Sequence, residues 1–217
     1  MMTKNILRFG ILLNIVAFSS LFYWNNELQK EVIKIENKIE KIQKQEPSEE
    51  QVLESFLKKY KRKWSLEDKQ TFLKTIKVAE KFYYIDKYDL MTFVALESNY
   101  TIRALSKPNR NGTRDAGLTQ QNSDYYKARY RRVAKVAKAY GLKYDINNKF
   151  DIALNVLSCA YFVNSLKIEI KKKYNATDHF QVVASYNTGI KGFFKNRKIA
   201  KQYYSVFQQL KSVVHNA

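Results

Sequence analysis

FVALESNY, residues 93–100, runs four apolar residues, Phe93 to Leu96, straight into the carboxylate of Glu97. A lone Glu in such a place usually marks the solvated end of a helix. An apolar wall and a helix C-terminus also disfavour a negative charge, by desolvation and by the negative end of the macrodipole. Both effects raise the pKa of a carboxyl and hold its proton in place, which is what a general acid requires. The residues around Glu97 predict a helix over 87–98, and the rest of the chain has to decide between the two roles.

Composition narrows the chemistry. The 217 residues suit one domain plus attachments, and 45% hydrophobic content supports a real core. The one cysteine, Cys159, lies in an apolar stretch and reads as a small core residue, so no intrachain disulfide can form. Two histidines, His179 and His215, with one cysteine cannot build a closed zinc site, and no metal or cofactor is expected. Neither histidine sits in a pattern that suggests a Ser-His-Asp or Cys-His system. Carboxylates remain. The net charge of +19 is uneven: residues 1–50 hold seven basic and seven acidic residues, and 51–217 hold 32 basic against 13 acidic. Such a domain seeks a polyanion: nucleic acid, an anionic membrane surface, or a cell wall carrying carboxylates and phosphates.

Residues 6–24 form a nearly unbroken apolar run of 19 residues, close to the ~20 needed to cross a bilayer. Lys4 and Arg8 precede the bulk of it, which favours a cytoplasmic N-terminus and an exported remainder. The expectation is a single-pass anchor over 1–24, with a cleaved signal peptide as the alternative. Leu28, Val32, Ile35, Ile39 and Ile42 then step by four and three, as in a short coiled coil or a stalk helix. Self-association through 28–42 is the partner this spacing suggests. Pro47 closes the stalk and hinge over 25–47, and Ser48 is placed to cap the next helix.

From 48 to 217 the sequence is helical in pattern. Helices are expected at 48–63, at about 65–84 behind the near-capping box SLED (65–68), at 87–98, 123–140, 150–173 and 177–186. The loop SKPNRNGTRDAG (106–117) is turn-rich, and a short hairpin is allowed within 100–118. The basic run KARYRRVAK (127–135) has Lys and Arg spread around the helix, which reads as a solvated face. No base-reading motif is present, so no specific nucleic acid is expected.

Three stretches stand out together: ALESNY (95–100), RDAGLTQQNS (114–123) and ASYNTG (184–189). In this order they resemble the Glu-Ser pair, G-L-M-Q motif and A-Y-N-A-G motif of the lytic transglycosylases of the lysozyme-like superfamily. The loop NRNGTRD (109–115) and Asn122 are similar to the N-x-N-G-x-x-D and terminal Asn of the small transglycosylases of secretion, pilus and conjugation machines. FDIALNVLSCAYF (150–162) is a weaker match to the family's D-P-x-x-N-I-x-x-G-A-x-Y-L helix and lacks its Pro. Thr119 stands where the family usually has Met, and Gln121 where it has an apolar residue.

The resemblance implies a mainly α, lysozyme-like (goose-type, SLT) helical catalytic domain over 48–217, carried behind the anchor and stalk. It implies a peptidoglycan lytic transglycosylase, serving a secretion, conjugation or phage machine or housekeeping wall turnover; with the anchor read above, the expected place is the inner membrane, the catalytic domain outside, or else a phage virion. Glu97 matches the catalytic acid/base. Ser106, Gln120, Tyr186 and Asn187 match residues near the sugar, while Gly117 and Gly189 match tight turns. The matched motifs supply one carboxylate and no second, as a lytic transglycosylase requires, whereas an ordinary glycosidase needs two. Asp115 could be that second carboxylate in a hydrolytic muramidase on the same fold, or merely a turn residue. A non-enzymatic wall-binding or nucleic-acid-binding protein is the remaining alternative.

Overall fold

Residues 24–25, 27–36, 47–175, 177–215 and 217 are described by the structure, a computed structural model. The chain divides into two compact units, Met1–Glu46 and Pro47–Ala217. In the first, residues 24–25 and 27–36 are helical, with Lys30–Glu27 and Lys34–Glu31 pairs one turn apart. Leu28, Val32 and Ile35 of the heptad are exposed. The other two heptad positions, Ile39 and Ile42, and the expected anchor up to Tyr23 lie outside the described residues. Among the described residues no helix is long and apolar enough to cross a membrane.

The second unit is mainly helical, and its helix starts follow local capping chemistry. Helix α1 (Glu49–Lys59) opens with a full capping box, in which the Ser48 hydroxyl accepts from Gln51 N and the Gln51 side chain accepts from Ser48 N. Helix α2 (Leu66–Tyr83) is capped by Ser65, and α3 (Lys87–Ser98) by Asp86. After a two-stranded hairpin, β1 (Asp115–Ala116) and β2 (Gln121–Asn122), come α4 (Tyr126–Ala139) and α5 (Ile152–Tyr174). Helix α6 (His179–Lys195) is kinked at Gly189, and α7 (Arg197–His215) ends the chain. Helix α5 is apolar on every side over its first half and is accordingly central. It packs against α2, α4 and α6, while α7 lies across α3 and α6.

Two sequence expectations need correction. The hairpin pairs Asp115 with Asn122 and Ala116 with Gln121, so its second strand lies beyond 118. Strands of two residues are too short to show alternation. The helix expected at 177–186 continues to Lys195, because Gly189, at φ +68°, departs from helical geometry for one residue only. A further helix, α7, follows; it buries Ala200, Phe207 and Val214 at helical spacing.

The C-terminal end of α3 is clamped. Asn99 and Tyr100 both take left-handed backbone conformations and turn the chain away. Their carbonyls accept from Arg62 Nε (3.1 Å) and Trp64 Nε1 (3.0 Å). The fully buried Tyr100 ring packs on Phe56, Trp64 and Phe72, and its hydroxyl donates to Met91 O at 3.0 Å. Ser98 turns back into the helix and donates to Val94 O (3.0 Å).

The hairpin is fixed to α5 by Asn155, which is fully buried. Its Oδ1 accepts from Thr119 N (2.7 Å) and from Thr119 Oγ1 (2.8 Å), and its Nδ2 donates to Ala116 O (3.2 Å). This close approach needs glycine at 117, where φ is +81° and a Cβ would stand 2.2 Å from Asn155 Nδ2. Gly117→Ala should therefore cost about 2–4 kcal/mol, from left-handed strain and from disturbed buried hydrogen bonds. Urea denaturation measures it; a loss below about 0.5 kcal/mol would mean that the hairpin does not depend on this packing.

Candidate active site

Glu97 lies one residue before the end of α3, half-buried, where the helix's free carbonyls already disfavour an anion. Behind it stands an aromatic wall. Tyr186 of α6 packs between Phe93 of α3 (ring centroids 4.6 Å apart) and Phe162 of α5 (5.5 Å). Burial pushes the Glu97 carboxyl up to about 7. A hydrogen bond from the Tyr203 hydroxyl of α7 pulls the other way, and the negative charge of Asp115 adds to the rise. Glu97 therefore holds its proton to near neutrality, mainly because water is kept from it.

Asp115 faces the same cavity from β1. Its Oδ1 accepts from Asn122 Nδ2 (3.0 Å) and its Oδ2 from Asn109 Nδ2 (3.3 Å). Thr113 links the same two amides: its Oγ1 accepts from Asn109 (3.1 Å) and Asn122 (2.9 Å) and donates to Asn111 Oδ1 (2.7 Å). The loop's asparagines thus serve as scaffolding that holds the Asp115 carboxylate.

A cavity of about 350 Å³ gathers Glu97, Asp115, Gln120, Asn122, Arg129, Phe162, Tyr186, Asn187, Thr188 and Gly189. Of the residues singled out in the sequence, Glu97, Asp115, Gln120, Asn122, Tyr186, Asn187 and Gly189 come together here. Gln120, at φ +49°, folds its side chain back to donate to Gly117 O at 2.9 Å, and the Tyr186 hydroxyl donates to Thr119 O at 2.9 Å. Ser106 is not in the cavity lining. Its hydroxyl accepts from Asp115 N (2.8 Å) and donates to Lys107 O (2.8 Å), so it acts on the site through the backbone of Asp115. A larger cavity of about 480 Å³, lined by residues including Glu67, Arg103, Tyr144 and Asp151, contains none of the residues of ALESNY, RDAGLTQQNS or ASYNTG.

Thr119 and Gln121 are both buried, and they bond to each other: Gln121 Nε2 donates to Thr119 Oγ1 at 2.9 Å. Gln121 Oε1 in turn accepts from Arg129 Nη1 at 2.8 Å. Sequence reasoning missed two residues of the site. Tyr203 sits in a helix without a motif that the sequence reading did not delimit; the apolar residues Ala200, Phe207 and Val214 at helical spacing are the one signal that could have found its inward face. Arg129 belongs to a basic run whose pattern resembles a solvated surface, yet it lines the cavity. Cys159 is fully buried with its thiol pushed up to about 12, which removes it as a nucleophile. His179 is engaged by Asp89 (2.8 Å) and Tyr204 (3.2 Å), neither of which lines the cavity.

The family model described as Transglycosylase SLT domain matches residues 74–207, a span that contains every residue of this cavity and Tyr203. No curated protein matches the chain.

The two influences on Glu97 have opposite signs and can be separated. Tyr203→Phe removes a bond that favours the ionised carboxyl, so the alkaline limb of the pH profile for glycan cleavage should move up by about half to one unit. Asp115→Asn removes a repelling charge and should move the limb down by a similar amount, about half a unit or more. Shifts in the same direction, or none in either variant, would show that Glu97 is not the group that titrates.

Proposed function

This chain belongs to the transglycosylase SLT domain family, and on that premise we propose that it cleaves the β-1,4 bond between MurNAc and GlcNAc in peptidoglycan with Glu97 as sole acid and base. The observation that carries this reading is a carboxyl held protonated to about 7 by burial, in a cavity it shares with Gln120, Tyr186 and Asn187. Protonated Glu97 gives its proton to the glycosidic oxygen as the C1–O bond breaks and an oxocarbenium-like centre develops. Now ionised, Glu97 accepts the proton of the sugar's own C6 hydroxyl, whose oxygen bonds to C1 and closes a 1,6-anhydro ring. The Tyr203 hydroxyl eases the first step by stabilising the anion left behind. Gln120 and Asn187 present neutral donors and acceptors to sugar hydroxyls and acetamides. Ser106 shapes the hairpin that carries Asp115.

Asp115 supports a second reading. It lines the same cavity and acts electrostatically on Glu97, so it could orient a water for hydrolysis. Mass spectrometry of digested sacculi separates the two: anhydromuramyl ends support the transglycosylase, and reducing ends incorporating labelled water support the muramidase.

Glu97→Gln keeps shape and hydrogen bonding but cannot donate a proton, so turnover should fall by at least ~10²-fold. Stability should change in the opposite direction. The folded chain retains a proton that the unfolded chain releases, so wild-type stability falls as pH rises from about 4.5 to about 7 and stays lowered above that. The Gln variant escapes this loss and should gain on the order of 2 kcal/mol over wild type in the alkaline range, but nothing in acid. Near-full turnover, or a stability difference independent of pH, would remove Glu97 from its role.

The apolar run at 6–24, with Lys4 and Arg8 near its start, supports a further part of this proposal, an inner-membrane anchor that holds the catalytic domain outside. Full-length protein should resist carbonate extraction; release into the soluble fraction, or a mature N-terminus beyond Ser19, would leave only the cleaved-signal alternative.

A further inference from the structure

Among the described residues, Arg129 is the one cation lining the cavity that holds Glu97. It is half-buried and fixed in two directions. One terminal nitrogen donates to Gln121 Oε1 at 2.8 Å, and the guanidinium lies 4.6 Å from the centroid of the Phe162 ring. Gln121 is itself held by Thr119, and Thr119 by Asn155. A chain of buried hydrogen bonds thus runs from the central helix α5 to the guanidinium. Its two links, Thr119 and Gln121, are the positions where the sequence departs from the G-L-M-Q-I-N pattern. A methionine and an apolar residue there could neither build the chain nor accept from Arg129. The two departures and the arginine therefore form one device.

That device holds a charge without an ion-pair partner. Among the described residues no carboxylate lies within ion-pair distance of Arg129. The two cavity carboxylates are otherwise engaged, Asp115 by the amides of Asn109 and Asn122 and Glu97 by Tyr203. A guanidinium carries five N–H donors in a planar fork, and one hydrogen bond to Gln121 leaves most of them for another acceptor. Its rotamer and ring stacking are fixed in advance, so little entropy is lost on meeting a planar anion.

We propose that Arg129 binds a carboxylate carried by the muramyl part of the substrate, so that the enzyme favours strands bearing such a group beside the scissile bond. This rests on the glycan-cleaving role assigned above. Two sources supply the chemistry: the lactyl carboxylate of a strand that has lost its stem peptide, or a carboxylate of the stem itself.

The test compares four preparations from the same sacculi with full-length protein: stem-free strands with free lactyl carboxylates, the same strands converted to neutral methylamides, stem-bearing strands, and stem-bearing strands with amidated carboxylates. Within one pair, wild-type kcat/KM should be at least about tenfold higher for the carboxylate form, and the pair that shows this identifies the source. The ratio should fall to about twofold or less in Arg129→Gln and be intermediate in Arg129→Lys, which keeps the charge but loses the fork. A wild-type ratio near one in both pairs overturns the proposal, whatever the folding of the variants. A ratio that persists in Arg129→Gln assigns the preference to the general positive field of the domain and also overturns it. If wild type cleaves no strand, the glycosidic reading fails separately. Dissociation constants for the four labelled strands then decide on Arg129, and equal values within each pair overturn it.

Discussion

A carboxyl that keeps its proton near neutrality must be withheld from water, and that requirement governs the arrangement around Glu97. Desolvation is the largest influence on the group, and Tyr186 of α6, packed between Phe93 of α3 and Phe162 of α5, lines the same cavity. A carboxyl buried without relief would hold its proton too firmly to give it up. The Tyr203 hydroxyl supplies that relief with one hydrogen bond from α7. The group is thus poised between its protonated and ionised forms near neutrality.

Such a balance has meaning only if the carboxyl cannot move. The end of α3 is held from below by Tyr100, whose ring is fully buried and whose hydroxyl reaches back to Met91 O. Arg62 and Trp64 bond to the carbonyls of Asn99 and Tyr100, which turn the chain just past the helix end. On the opposite side, Asn155 binds both the hairpin backbone and the Thr119 side chain from within α5. Rigidity at both walls comes from backbone carbonyls and amides that have found buried partners, which is why glycine at 117 and left-handed residues at 99 and 100 are tolerated there.

Charge is distributed unequally between surface and site. The excess of basic residues over 51–217 provides a long-range attraction to an anionic meshwork, screened at about 8 Å in physiological salt. Inside the cavity the charges are few and individually held: Asp115 by two asparagine amides, Arg129 by Gln121 and a ring face. The first arrangement acts at long range on any polyanion; the second fixes individual groups inside the cavity.

By itself the sequence determined the helical class, most of the helices and the family-like motifs. Ser48 and Ser65 announced where α1 and α2 begin, because capping depends on residues within one turn. The order of ALESNY, RDAGLTQQNS and ASYNTG identified Glu97, Gln120, Tyr186 and Asn187, since each motif keeps its residues close along the chain. The tertiary structure decided what the motifs could not carry. Tyr203 reaches Glu97 across 106 positions of sequence, and no local pattern encodes such a separation. Ser106, placed by motif beside the sugar, holds Asp115 through its backbone, a contact the motif does not announce, and Asp115 lines the cavity itself. Arg129 looked like one more surface charge because the basic run repeats around its helix. Only the packing of α4 beside α5 shows which of those charges turns inward, for the side of a helix that is buried depends on its neighbours.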